Sequence, residues 1–344
     1  MVEEHSLLSI DRAGLRCEEG GFSVDPWSPV ECAVVTHAHA DHARAGSSRY
    51  ICTPPTAALM RRRISRDLEI TELEYGDSTT LGGTRISLHP SGHLLGAAQI
   101  RIESCATGEV AVVSGDYKVR ADATCAPFET IPCDTFVTES TFGLPIYRWP
   151  DEDDVAEQIN GWWRENASRG RTSVVLTYAL GKAQRVASLL DPSIGPIGAH
   201  GAVIPMNEVY SDFGIELPDL VHARKESATE LRGRGLIIAP PSAATSPWIR
   251  KFAGKDGLRT GLASGWMAVR GRRRWRAVDR GFLLSDHADW PGLLDTVRAT
   301  GATRVLTMHG SRDTFARYIR EEMGIEAHSV NTPYGNDDGR EDEP

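Results

Sequence analysis

A β-branched run that passes at once into three imidazoles and a carboxylate constrains this chain more than any other stretch: Val34-Val35-Thr36-His37-Ala38-His39-Ala40-Asp41-His42. Val and Thr favour a pleated, half-buried strand, so a strand is expected to end where the polar cluster begins. Such a cluster makes poor core, because every ring and carboxylate would need its own hydrogen-bond partner. It makes sense around a positive ion. In an extended segment alternate side chains share a face, so His37, His39 and Asp41 are expected to point together and His42 to diverge. That spread suits two adjacent ions better than one.

The pattern recurs along the chain. His93 in Pro90-Ser91-Gly92-His93, His287 in Ser285-Asp286-His287 and His309 in Thr307-Met308-His309-Gly310 each close an expected strand, as does Asp116 in Val112-Val113-Ser114-Gly115-Asp116. With His37, His39 and His42, six of the eleven histidines stand at strand ends, which is where α/β proteins place their sites. Imidazole with carboxylate, and no cysteine among them, favours zinc or manganese over a thiolate site. Two such ions about 3.5–4 Å apart can polarise a phosphoryl oxygen and lower the pKa of bound water from 15.7 to about 7. One carboxylate must bridge them, and Asp116, alone at its strand end after a glycine, is the natural candidate. His5, His200, His222 and His328 read as ordinary surface or core residues, and His89 as part of a strand.

The rest of the chain sets the frame. Residues 6–134 read as short strands separated by turns; Asp151–Arg169 reads as a helix, with Val155, Ile159, Trp162 and Trp163 on one apolar stripe and Gly170 at its stop. Beyond it strands alternate with helices, the signature of α/β layers. No apolar run approaches the roughly 18 residues needed to span a bilayer. Six scattered cysteines without a CxxC pair suit a reducing compartment, so the cytoplasm is the expected location and no membrane partner is expected. A net charge of −9 counts against a protein that coats nucleic acid by electrostatics alone, though not against an enzyme with a local basic groove.

Together these motifs resemble a known family. THAHADH at 36–42, PSGHLLGAAQ at 90–99, the SGD ending at Asp116 and the MHG ending at Gly310 are similar, in order and spacing, to the metallo-β-lactamase superfamily. Glu139-Ser140-Thr141-Phe142-Gly143 resembles the acidic motif that opens the β-CASP nucleases, and SDHAD at 285–289 and His309 resemble their second and third motifs. The stretches APPSAATSPWIRKF (239–252), ASGWMAVRGRRR (263–274) and AVDRGFLLSDHADWPGLL (277–294) carry a further likeness to the bacterial ligase-associated DNA exonucleases, also labelled mRNA 3′-end processing factor-like.

The resemblance implies an αββα metallo-β-lactamase sandwich with an inserted β-CASP α/β cassette. The sandwich would take residues 1–145 and 282–330 and the cassette 146–281, leaving 331–344 as a disordered acidic tail. It implies two divalent metal ions, zinc or manganese: one on His37, His39 and His93, the other on Asp41, His42 and His309, with Asp116 bridging. Asp41 and Asp116 would serve the chemistry as well as the metals. Glu139 would pair with His287, and His287 would protonate the leaving oxygen, a role imidazole suits near neutral pH. Arg44 stands where the family's first motif usually has glycine, with Gly46 later, so that loop is expected to be shaped differently.

The implied function is hydrolysis of phosphodiester bonds in nucleic acid, most closely as an exonuclease on single-stranded DNA in repair, with a DNA ligase and a helicase as pathway partners. A histidine at the third motif is associated instead with RNA-acting members of the family. Two further readings are a small-ester or thioester hydrolase and a binding subunit without activity. The first has no use for the cassette and the Glu139/His287 pair, and the second would tend to lose ligands that are all present here. For nucleic-acid contact the expected residues are Arg270, Arg272, Arg273 and Arg274, in a run of five arginines around Trp275. The run reads equally well as a solvated strand face. Trp266 or Trp275 could stack on bases, and Lys182 and Arg185, after Gly181, could meet phosphate.

Overall fold

The computed structural model describes residues 7–269 and 278–331. The expected tail beyond Asn331 and the run Arg270, Arg272, Arg273 and Arg274 lie outside the described residues. In chain order the first strands are β1 (Ser9–Asp11), β2 (Gly14–Cys17), β3 (Phe22–Val24), β4 (Cys32–Val34), β5 (Arg49–Cys52) and β6 (Ile70–Glu72), with helix α1 (Pro54–Arg63) before β6. Then come β7 (Ser78–Leu81), β8 (Thr84–Pro90), β9 (Ala98–Ser104), β10 (Val110–Val113) and β11 (Thr135–Glu139). The middle of the chain gives α2 (Glu152–Ser168), β12 (Thr172–Leu176), α3 (Lys182–Ser188), β13 (Ile197–Ala199), α4 (Ile204–Asp212), β14 (Val221–His222), α5 (Ala228–Leu231), β15 (Leu236–Ala239), α6 (Pro247–Arg250), β16 (Leu258–Ala263) and β17 (Arg280–Phe282). The chain closes with α7 (Trp290–Thr300), β18 (Arg304–Met308), α8 (Arg312–Met323) and β19 (Glu326–Ser329).

These elements make two compact units, one of the described residues up to Tyr147 and from His287, the other running Arg148–Asp286. In the first, sheet β1-β2-β3-β4-β5-β6 faces sheet β19-β18-β11-β10-β9-β8-β7. The period of two decides what each strand buries. Val34, Ile51, Ile100, Ala111, Val113, Val137 and Leu306 turn into the space between the sheets. Val112, Phe136 and Val305 point the other way, against Leu293, Leu294 and Val297 of α7 and Phe315 and Ile319 of α8. On the far side Cys52 meets Met60 of α1. The layers are therefore helix, sheet, sheet, helix.

Helix α1 is a correction to the all-strand reading of this region. Its Pro54-Pro55 start resembles a turn signal, yet proline is tolerated in a first helical turn, and Thr53 Oγ1 caps the Thr56 N–H.

The second unit is a parallel sheet in the order β14-β13-β15-β12-β16-β17. Parallel strands are covered on both faces and read as unbroken apolar runs, as TSVVL and LIIA do. Val175, Leu236 and Ile238 pack on Ile159, Trp162 and Trp163 of α2 and on α3; Val174, Leu176 and Ile237 pack on Leu231, Ile249 and Phe252. Helix α2 starts after Asp151, with Glu152, Asp153 and Asp154 in its first turn. These carboxylates complement the exposed N–H groups there.

Candidate metal centre

The sheets of the first unit deliver the polar residues to one place. Strand β4 ends at Val34, and the segment after it is not extended: the Ala43 N–H donates to His39 O at 2.8 Å, closing a helical turn. Alternation therefore does not place these side chains. The turn brings His42 back toward His37, ring centroids 4.0 Å apart, rather than letting it diverge. Beyond β10, Gly115 (φ 57°) passes so close to this loop that a Cβ there would lie 2.6 Å from Thr36 Cβ. Only glycine permits that approach, and it sets Asp116 beside the histidines. Ser91 Oγ donates to Asp116 O (2.9 Å), tying in the loop that carries His93. His309 follows β18 with φ 58°, uncommon for a residue with a side chain, and Ser140 Oγ donates to the carbonyls of Met308 (3.0 Å) and His309 (2.6 Å).

Two donor sets result. His37 Nε2, His39 Nδ1, His93 Nε2 and Asp116 Oδ2 form one, with separations of 3.1 Å (His37–His39), 3.2 Å (His39–His93), 3.6 Å (His37–Asp116) and 3.7 Å (His93–Asp116). Four donors about 2.0–2.1 Å from a tetrahedral zinc stand about 3.3 Å from one another, so the spacing fits that ion. His42, Asp116 and His309 form the other set. His42 Nε2 lies 3.5 Å from Asp116 Oδ2 and 3.5 Å from Asp41 Oδ2, which joins this set through His42. A cavity of about 30 Å³ adjoins it, lined in part by Asp25, Asp41, His42 and His309. Oxygen Oδ2 of Asp116 belongs to both sets.

The electrostatics call for a cation. Among the described residues, buried His42 Nε2 has no hydrogen-bond partner, an arrangement that costs free energy unless something accepts its lone pair. Burial pushes the Asp116 carboxyl up to about 7, against the pull of His42 and reinforced by the charge of Glu139. Burial and the neighbouring imidazoles of His42, His93 and His39 hold His37 well below the ordinary histidine value, hence neutral and able to ligate. His42 goes the other way: burial opposes its charge, but Asp41, Asp116 and Asp25 outweigh burial and raise it. A dication among these groups relieves both the buried carboxylate and the orphaned nitrogen.

Asp25 is the residue that sequence reasoning missed. Left-handed at φ 44° after β3, it accepts from the Thr36 N–H (2.8 Å), from Thr36 Oγ1 (2.5 Å) and from His42 Nδ1 (2.7 Å). The last bond fixes the tautomer, turning the Nε2 lone pair toward Asp116. An acidic residue before proline at the end of a strand neighbouring β4 was the available signal.

Glu139, at the end of β11, and His287 also meet. His287 Nδ1 lies 2.8 Å from Glu139 Oε2, and the Tyr117 N–H donates to Oε1 (2.8 Å). Burial opposes ionisation of Glu139, but His287 beside it brings its carboxyl below the ordinary value. The His287 ring stands 4.8 Å from that of His93, and Asp116, Glu139 and His287 have donor atoms within 4.8 Å of one another.

Other residues expected to meet nucleic acid belong to the second unit and are buried. Lys182, expected to meet phosphate, is buried, with Nζ 3.0 Å from Asp286 Oδ1 and 4.8 Å from the Tyr178 ring. Arg185 is likewise buried, donating to Glu152 (2.6 Å) and to Ser285 O. Trp266, expected to stack on a base, is buried as well. The Arg44 backbone carbonyl accepts from Tyr50 (2.7 Å), and Gly46 turns through φ 103° beside Pro29, so the loop is shaped without glycine at 44.

Known proteins resemble this chain in sequence and in fold. Residues 280–330 match the family described as Zn-dependent metallo-hydrolase RNA specificity domain. A protein from Opitutus terrae named probable DNA ligase is 33% identical over 318 residues, which is 92% of this chain and 30% of that protein. An RNase J-like protein of Methanocaldococcus jannaschii is 24% identical over 54% of this chain and 50% of its own length. A transcription termination factor FttA of Methanosarcina mazei is 25% identical over 58% and 36%. The chain thus spans between about a third and a half of these relatives. A solved Enterococcus faecalis protein of unknown function shares the fold, with a TM-score of 0.57 over 88% of this chain and 79% of that one at 13% identity. The motifs, the layered fold and these relatives agree: the chain belongs to the β-CASP group of the metallo-β-lactamase superfamily, a family of zinc-dependent hydrolases.

Proposed function

We propose that this protein hydrolyses phosphodiester bonds in nucleic acid and that its substrate is single-stranded DNA, shortened from an end during repair. The carrying observation is the pair of donor sets that share Asp116 Oδ2, with the Glu139–His287 pair beside them. Two divalent ions, zinc or manganese, are the expected cofactors, one held by His37, His39 and His93, the other by Asp41, His42 and His309, with Asp116 common to both. When bound, they supply Lewis acidity toward a phosphoryl oxygen and make water acidic enough to attack near neutral pH. The remaining work falls to the chain. Glu139, fixed by the Tyr117 N–H, orients the His287 ring and stabilises its charged form. His287 then delivers a proton to the departing oxygen. Asp25 keeps His42 in the ligating tautomer.

The preference for DNA rests on the Opitutus relative, whose name is that of a DNA ligase and of which this chain matches a part. A DNA ligase is therefore the proposed partner, and a helicase follows from the family likeness alone. RNA is the second reading, favoured by the name of the family matched at 280–330 and by the RNase J-like relative. We place the protein in the cytoplasm, where its six cysteines, none of them joined in a disulfide, stay reduced. Among the described residues no helix is long and apolar enough to cross a membrane.

The test is digestion of end-labelled single-stranded DNA and RNA of one sequence, with and without Mn²⁺ or Zn²⁺. Stepwise, metal-dependent shortening of DNA alone supports the first reading. Cleavage of RNA alone gives the second, and cleavage of neither removes both.

A further inference from the structure

The second unit carries a basic pocket of about 610 Å³ that the chemistry above does not use. It is lined by Arg232, Arg234, Arg250, Lys251 and Lys255 together with Gly170, Gly233, Ala253 and Gly254. These segments lead into β15, β16 and β12, so the pocket lies at the N-terminal edge of the parallel strands, opposite the edge where α/β sheets usually bind ligands.

Three features make it a built site. First, among the described residues none of the five cations has a carboxylate within 4.0 Å; Asp256, near Gly170, is the acid at its border. On a chain of net charge −9, five unpaired cations in one pocket are not a by-product of composition. Second, two guanidiniums are anchored by their inner nitrogens. Arg232 Nε donates to Lys251 O (2.8 Å) and Arg234 Nε to Glu230 O (3.2 Å), so their outer N–H groups are pre-oriented. A planar fork of that kind suits phosphate oxygens. Third, the floor is rigid: a Cβ on Gly254 would lie 2.2 Å from Gly170 O and 2.6 Å from Gly233 Cα, so three chain segments meet at backbone contact distance. Thr172 Oγ1 ties two of them, donating to Phe252 O (2.6 Å) and accepting from the Gly233 N–H (2.8 Å).

We propose that this pocket is an accessory site for the phosphate backbone of a single-stranded nucleic acid, an inference that rests on the nuclease reading. Among the described residues its lining holds no aromatic ring on which a base could stack, and its polar side chains are all cations. It therefore grips charge alone and takes DNA and RNA alike.

The test measures binding apart from cleavage. In an Asp116→Asn background, fluorescence anisotropy follows a labelled mixed-sequence strand, as DNA and as RNA, over a salt series. Arg250→Glu with Lys255→Glu should weaken both by on the order of tenfold and flatten the slope of log K against log salt by about 1.4, or about 0.7 per lost phosphate contact. The same charge change at Arg12 and Arg298, and an unchanged melting temperature, separate a local effect from global charge or misfolding. Wild-type affinity and slope in the pocket variant would overturn the proposal while leaving the nuclease reading intact. So would tighter capture of a labelled polyglutamate than of DNA, which would mark the pocket as a dock for an acidic protein. If the pocket variant loses binding yet the protein with Asp116 intact cleaves neither strand, the pocket stands and the nuclease reading falls.

Discussion

Asp25→Asn isolates what one carboxylate outside the proposed metal ligands contributes. Asparagine keeps the size of aspartate and tolerates the left-handed φ of 44°, so the backbone is not the variable. The hydrogen-bond inventory is. Asp25 accepts three bonds, from the Thr36 N–H, Thr36 Oγ1 and His42 Nδ1. Asparagine offers one accepting oxygen and an NH₂ that only donates. If the oxygen keeps the Thr36 N–H, the NH₂ faces His42 Nδ1, donor against donor. The ring then either loses its partner or moves its proton to Nε2, the atom 3.5 Å from Asp116 Oδ2 that would ligate a metal. Partners of this kind are typically worth 10–100-fold in metal affinity, roughly 1.4–2.7 kcal/mol. Competition with a chromophoric chelator measures that loss, which should fall on one of the two ions. Thr36→Val leaves the Asp25–His42 bond but takes away the hydroxyl 3.1 Å from His37 Nδ1, so its cost should fall on the other ion. Wild-type affinity for both ions in Asp25→Asn would refute the tautomer argument.

Three further outcomes are expected. His287→Ala should slow cleavage by about 10²–10⁴-fold at unchanged metal content; loss of a metal would make His287 a ligand instead of a proton donor. Asp116→Ala should abolish cleavage with circular dichroism and melting largely preserved, because a shared ligand is removed and not core; substantial activity with metal still bound would sink the two-metal assignment. Asp116 is raised to about 7 by burial, and His42 is raised against burial by Asp41, Asp116 and Asp25. A group whose folded pKa is raised contributes stability that is present below its unfolded pKa and lost as pH rises through the folded value. The chelator-treated protein should therefore weaken as pH rises toward and past 7, and the gain in melting temperature on adding Zn²⁺ should widen over the same range, since the ion displaces those protons. A gain independent of pH would count against Asp116 and His42 as ligands.

Much of this fold is legible in the sequence wherever one local rule governs. The stripe of Val155, Ile159, Trp162 and Trp163 is a helix of period 3.6 that buries what it should, and TSVVL and LIIA are unbroken apolar runs because parallel strands are covered on both faces. Helix α1 is not legible, since its proline start carries the same local signal as a turn. Within the site, residue types and strand-end positions bring forward His37, His39, His42, His93, Asp116, His287 and His309, and the structure gathers all seven around the centre. Their arrangement is another matter. The two-residue alternation misplaces His42 because it assumes an extended segment, whereas the bond from Ala43 N to His39 O winds that segment into a turn. Lys182 looks like a phosphate contact when only the glycine before its helix is considered, and proves to be a buried partner of Asp286, more than a hundred residues away in the chain.

The same limit explains Asp25. Near it in the chain only an acid before proline at a strand end marks it, because its role exists only once β3 pairs with β4 and brings it against Thr36 and His42. Ligands can be recognised by type and spacing, since an ion demands a narrow set of donors. The groups that orient ligands are set by strand pairing and can be any acceptor that the sheet brings within reach. That asymmetry makes Asp25→Asn a sharper test than replacing a ligand. A lost ligand would be expected from the motif alone, whereas a loss of affinity at Asp25 follows only from the pairing of β3 with β4.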